Sequence, residues 1–182
     1  MTPPSIVARH ARIEEVLDAF GDDLAADRAA YRGHVYRVFH FGRALAPTVP
    51  VRDEKMALAA VFHDLGIWSD RTVDYLPPSV RRLRTYLEEH GRTGQADELV
   101  RMVEMHHKLT PYRGEHAAIV EAFRRADLVD VTFGLVRFGL PSAWIGEVQA
   151  AFAEAGFHAR IARALGGWAL RHPLRPLPML RW

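Results

Sequence analysis

The chain has 182 residues, with 24 Lys and Arg against 22 Asp and Glu, ten His and no Cys, a length that suits one domain with its own core. The missing cysteines exclude disulfides and thiolate metal or redox sites, and leave His and carboxylates as the strong metal ligands. A net charge of +2 with basic residues scattered along the chain argues against a nucleic-acid face, no apolar run reaches the roughly 18 residues of a membrane span, and no secretory leader pattern opens the chain, so a cytoplasmic protein without a membrane partner is expected.

Ser5, after Pro3-Pro4, is placed to cap a first helix over 5–20, which Gly21 would end. A second helix is expected over about 23–43, stopping before Pro47. A third covers about 52–63, with Asp53 and Glu54 at its positive N-terminal end. A loop spans 64–78 and carries Gly66, Trp68, Asp70, Asp74 and Pro77-Pro78. Five helices follow, over 79–90, 95–107, about 115–136, 141–155 and 157–171. Alternating runs of strand length are nearly absent. Pro173, Pro176 and Pro178 bar a helix in the tail. Its Leu174, Leu177, Met179, Leu180 and Trp182 imply that it packs or self-associates. The predicted fold is an all-α, single-domain helical bundle over 1–171, its motif-bearing core at about 23–136, followed by a Pro-rich tail over 172–182.

Four places put metal-ligating side chains on apolar helix faces. His63-Asp64 ends a helix whose Ala59 and Ala60 lie one turn earlier. His34 shares an arc with Tyr31, Val35 and Val38. Asp127 interrupts a stripe of Val120, Phe123 and Val131, where an unpaired carboxylate is costly. His106 and His107 follow Leu99, Val100, Met102 and Val103 at helical spacing. Alone, each has a structural explanation. His34 can be a satisfied core histidine, and His63 and Asp64 can bond to each other or to a helix end. Asp127 can pair with Arg124 or Arg125, and His106 and His107 can answer the helix dipole. One metal site at the centre of the bundle explains all four together.

In this order, His34, His63-Asp64 and Asp127 resemble the HD-domain superfamily of metal-dependent phosphohydrolases. The segment Ala59-Ala-Val-Phe-His63-Asp64-Leu-Gly66 is similar to that family's signature. The run leading into His106-His107 is similar to its later His element, and Arg125-Ala126-Asp127-Leu-Val-Asp130 to its final Asp element. The likeness spans about 34–130. It implies one divalent transition ion (Fe, Mn, Zn, Ni or Co) on His34, His63, Asp64 and Asp127, and hydrolysis of a small phosphorylated substrate such as a nucleotide. Members with two metals carry a further His where this chain reads Tyr75-Leu-Pro-Pro-Ser-Val-Arg, which favours a single ion. The cyclic-di-nucleotide motif is also missing after His107. His106, His107 and Lys108 are the candidates to bind phosphate or protonate the leaving oxygen, and Asp70 or Asp74 to act as general base. Arg37, Arg113 and Arg124 are second-rank phosphate candidates, and Trp68, Tyr75 and Tyr112 candidates to stack on a base. Three alternatives stay open: an iron oxygenase, hydratase or lyase on the same scaffold; a nucleotide-binding module without catalysis; and, compatible with any of these, a homodimer through the apolar region 129–182.

Overall fold

The computed structural model describes residues 3–49 and 52–181. Trp182 lies outside them. Ten α-helices are formed among the described residues. They are α1 (Ala11–Ala19), α2 (Gly21–Leu24), α3 (Arg28–Leu45), α4 (Arg52–Phe62), α5 (Gly66–Ser69), α6 (Leu76–Glu89), α7 (Ala96–Met105), α8 (Ala117–Val131), α9 (Ser142–Ala151) and α10 (Phe157–Arg171). No strand occurs among the described residues, only an isolated parallel bridge between Lys108 and Arg181. None of the helices is long and apolar enough to cross a membrane.

The centre of the molecule is α3. From Ala30 to Ala44 every residue except Arg32 is buried, as expected of a helix surrounded by others. It packs most closely against α8 and α4. Gly33 lets the segment after α9 come equally close to α3, because a Cβ there would run into the Ala153 carbonyl. Gly66 does the same beside α6, where a Cβ would lie 2.5 Å from the Tyr75 carbonyl oxygen. The Gly66 amide donates to the Ser79 hydroxyl at 2.9 Å, so the turn after His63-Asp64 is fixed to α6.

Several boundaries differ from the sequence expectation, each for a local reason. Ser5 does not cap α1. Residues 5–10 instead run along α3, where Arg43 donates to the Ser5 carbonyl at 3.0 Å and His40 Nε2 to the Val7 carbonyl at 3.2 Å. Gly21 opens α2 rather than ending a helix, and Ala25, at φ 45°, breaks the expected 23–43 helix in two. α6 starts three residues early, since Pro77 and Pro78 sit in its first turn, where no backbone donor is needed. α8 ends at Val131 because Phe133 and Gly134 take positive φ and turn their amides back onto the Asp130 and Val129 carbonyls.

The tail is not helical. The Leu109 amide donates to the Arg181 carbonyl at 2.9 Å and Met179 is buried, so residues 177–181 pack across the start of the loop after α7. Trp144 and Ile145 join the core, while Leu135 stays exposed, which shortens the apolar surface left for a second copy.

Glu121 on α8 locks the loop before it. It accepts from the Tyr112 amide at 2.8 Å and from Arg124 and Arg125 at 2.7 Å. Burial pushes its carboxyl up, but these bonds outweigh burial and hold it at about 2 against an ordinary 4.5. A depressed carboxyl stabilises the fold fully above its unfolded value, and that stability is lost as the pH falls through the folded one. Glu121→Gln therefore lowers the melting temperature at pH 7, and the gap from wild type closes as the pH falls from about 4.5 towards 2. Thermal melts across that range measure it, and a gap that does not depend on pH contradicts it.

Candidate metal centre

His63 follows the last residue of α4, and its ring is oriented by its own helix. Its Nδ1 lies 2.7 Å from the Ala60 carbonyl. A carbonyl only accepts, so Nδ1 carries the proton and the Nε2 lone pair points away from α4. His106, just after α7, repeats the arrangement with the Val103 carbonyl at 2.7 Å. On α3, His34 Nδ1 lies 2.7 Å from Asp130 Oδ2, and Arg37 Nη2 donates to the same oxygen at 2.9 Å. Phe157, the first residue of α10, stacks on the His34 ring with centroids 4.1 Å apart. Metal-ligating histidines are oriented in this way, one nitrogen held by a carbonyl or carboxylate and the other free to ligate.

The free nitrogens converge on two carboxylates. His34 Nε2 and His63 Nε2 are 2.9 Å apart. Asp64 Oδ2 lies 3.6 Å and 3.4 Å from them, and Asp127 Oδ1 lies 3.7 Å from both. On the other side, Asp64 Oδ1 is 3.4 Å from His106 Nε2. Ligand atoms about 2.1 Å from a common ion stand roughly 3–3.5 Å from each other, so the spacing fits. Asp64 Oδ1 and His106 Nε2 are buried without a hydrogen-bond partner, an arrangement that is costly unless a cation answers it. His34, His63 and Asp64 form one ligand group, and Asp64, His106 and His107 a second. Asp64 belongs to both.

The electrostatics agree. Burial would raise the Asp64 carboxyl, but His63, His106 and His34 hold it well below the usual range. Asp127 is likewise lowered against burial, by His63, His107 and His106. Burial lowers His34, but Asp130 and Asp64 outweigh it and raise the ring to about 9. A proton on His34 Nε2 can therefore fill the gap to His63, and an entering metal ion must displace it. His107 is pushed down to about 3 by burial and by neighbouring His106, so it is neutral near pH 7. Tyr75, kept protonated by burial and by Asp64 and Asp127, donates to His107 Nε2 at 2.6 Å.

The sequence-predicted ligands His34, His63, Asp64 and Asp127 thus meet, and His106 and His107 join them. Lys108 does not reach the site's cavity wall. It lies at the bridge to Arg181, with its carbonyl accepting from Arg124 at 3.2 Å. Asp70 is not brought to the cluster either. It turns away towards α6, where Arg81 and Arg82 donate to it at 3.1 Å and 3.4 Å. Asp74 pairs with Arg175 at 3.2 Å. Arg37 is not a surface cation but is buried on Asp130, and Arg124 and Arg125 go to Glu121 rather than Asp127. Trp68 packs on the Tyr31 ring, with centroids 4.5 Å apart, and Tyr112 packs against the core.

Asp130, Phe157 and His158 were not singled out as site residues in the sequence. Asp130 left a usable signal, lying one turn after Asp127 on α8. Phe157 and His158 left none, because nothing local ties α10 to α3.

A cavity of about 350 Å³ opens over the cluster. Its floor is His34, Asp64, Tyr75, His107 and Asp127. One wall is α10, through Phe157, Ile161, Ala162 and Leu165, and the roof is the tail, through Leu177, Met179 and Leu180. A larger cavity, about 410 Å³, borders Arg43, Arg52 and Arg125 and touches none of the cluster.

The chain matches no family model, no curated protein and no solved structure. Its own geometry defines it as an all-helical protein with a buried His and Asp cluster that could hold a metal ion.

Proposed function

We propose that the protein is a metal-dependent phosphohydrolase of the HD-domain kind, with one divalent transition ion held by His34, His63, Asp64 and Asp127. The observation that carries this reading is the set of imidazoles whose Nδ1 atoms are held by fixed acceptors while their Nε2 atoms face Asp64 and Asp127 at the floor of a cavity. The likeness of 59–66 and 125–130 to the family's motifs supports the reaction class. A divalent ion there would polarise a phosphoryl oxygen and lower the pKa of water. Asp130 and Arg37 hold the His34 ring in its ligating orientation. With Nε2 occupied by the Tyr75 hydroxyl, neutral His107 carries its proton on Nδ1, 3.7 Å from Asp127 Oδ2. That proton is placed to bond a phosphoryl or leaving oxygen over the cluster.

One observation favours a second reading. Asp64 offers Oδ2 to His34 and His63 and Oδ1 to His106, which suits two ions sharing a carboxylate and so an iron oxygenase. Elemental analysis of protein purified without chelator separates the two. About one ion per chain, lost in His63→Ala, with turnover of phosphate monoesters, is the expected result. Two irons per chain with oxygen uptake and no phosphate release moves the assignment to the oxygenase. No metal, and none taken up on addition, removes both.

A further inference from the structure

The cavity above the cluster is chemically uneven. Its floor is polar, but its sides are almost wholly apolar, and no Lys or Arg lines it among the described residues. Away from the floor the one polar side chain among the described residues is His158, whose Nε2 faces Asp130 Oδ2 at 3.5 Å. The apolar character reaches the mouth. Val131, Phe133 and Leu177 border the cavity and are also 44%, 58% and 41% exposed. The roof is a fixed part of the fold, since the tail is bonded to Leu109 and Met179 is buried.

A nucleotide or sugar phosphate does not suit such walls. Its hydroxyls and ring nitrogens would lose water and find no partner, and buried polar groups without partners are costly. Its further phosphates would find no cation among the described residues that line the cavity. A molecule with one polar end and an apolar remainder meets neither cost.

We infer that the substrate is an amphiphile of this kind, an anionic head over the His and Asp cluster and a hydrocarbon body between α10 and the tail. This rests on the metal-centre reading above and narrows its substrate class.

The test is calorimetric titration of the metal-loaded protein with n-alkyl phosphates from ethyl to octyl, with the matching n-alkyl carboxylates, and with AMP. Affinity is expected to rise about fourfold per methylene, the factor for burying a CH₂, until the cavity is full, and AMP binds more weakly than hexyl phosphate. Phe133→Ser and Leu177→Ser, both at exposed positions, flatten the slope for the longer chains while metal content stays unchanged, because neither residue touches the cluster. His63→Ala lowers every affinity in a series by a common factor and keeps the slope. A flat wild-type slope, or AMP binding tighter than octyl phosphate, overturns the inference. Phosphate release with flat slopes overturns it alone. Steep slopes without phosphate release leave it standing and remove the phosphohydrolase reading instead.

Discussion

Asp130→Ala lowers the stability of the protein by about 3–5 kcal/mol, the cost of breaking a buried charge pair from one side, and also weakens metal retention. Asp130 is 1% exposed and Arg37 2%. The guanidinium has further bonds, to the Phe152 and Ala153 carbonyls at 3.0 Å and 3.2 Å, so it is held in place and cannot swing out to water when its carboxylate is removed. The same carboxylate fixes the His34 ring through Nδ1, and loss of such an outer partner typically costs about 10- to 100-fold in metal affinity. Urea titration reads the first effect and metal competition the second. A double variant separates them. Arg37→Met with Asp130→Leu regains most of the stability, since apolar replacement of a buried pair is often neutral, yet it does not regain the metal. If it regains both, Asp130 has no positioning role.

Asp64→Ala abolishes metal uptake altogether while the helical signal stays intact. Asp64 is common to both ligand groups, so its loss dismantles both, whereas His106→Ala leaves His34, His63 and Asp64 in place. The turn itself survives, because Gly66 and Ser79 hold it without the Asp64 side chain. Metal per chain and circular dichroism on the same samples check the pair of claims, and a metal-replete Asp64→Ala protein refutes the centre described here. The wild-type protein adds a pH signature. The His34 ring, raised to about 9 by Asp130 and Asp64 against burial, must shed a proton to ligate. Apparent metal affinity therefore rises with pH up to about 9 and then levels, and loading near pH 7 releases protons that calorimetry in buffers of different ionisation enthalpy counts.

What could be read from the sequence was whatever a helix decides by itself. The all-helical class followed from period and punctuation, and the helix expected over 157–171 is α10. His34 and Asp127 were legible because each lies on the apolar face of its own helix, and His63-Asp64 and His106-His107 because each pair directly follows such a face, which must turn to the core. Breaks that depend on backbone rather than side-chain pattern were not legible. Ala25 at positive φ is of this kind, whereas Pro77 and Pro78 in the first turn of α6 are a start signal the sequence does carry.

Only the tertiary structure decided the surroundings of the cluster. Asp130 meets His34 across 96 residues of chain, α10 lays Phe157 on the same ring, and the tail closes over the floor from the far end of the sequence. Asp70 stands close in sequence to the ligands and still turns elsewhere. Local periodicity says which face of a helix is buried, but not what it is buried against, and the apolar cavity over His34, Asp64 and Asp127 is made from faces that share no local pattern.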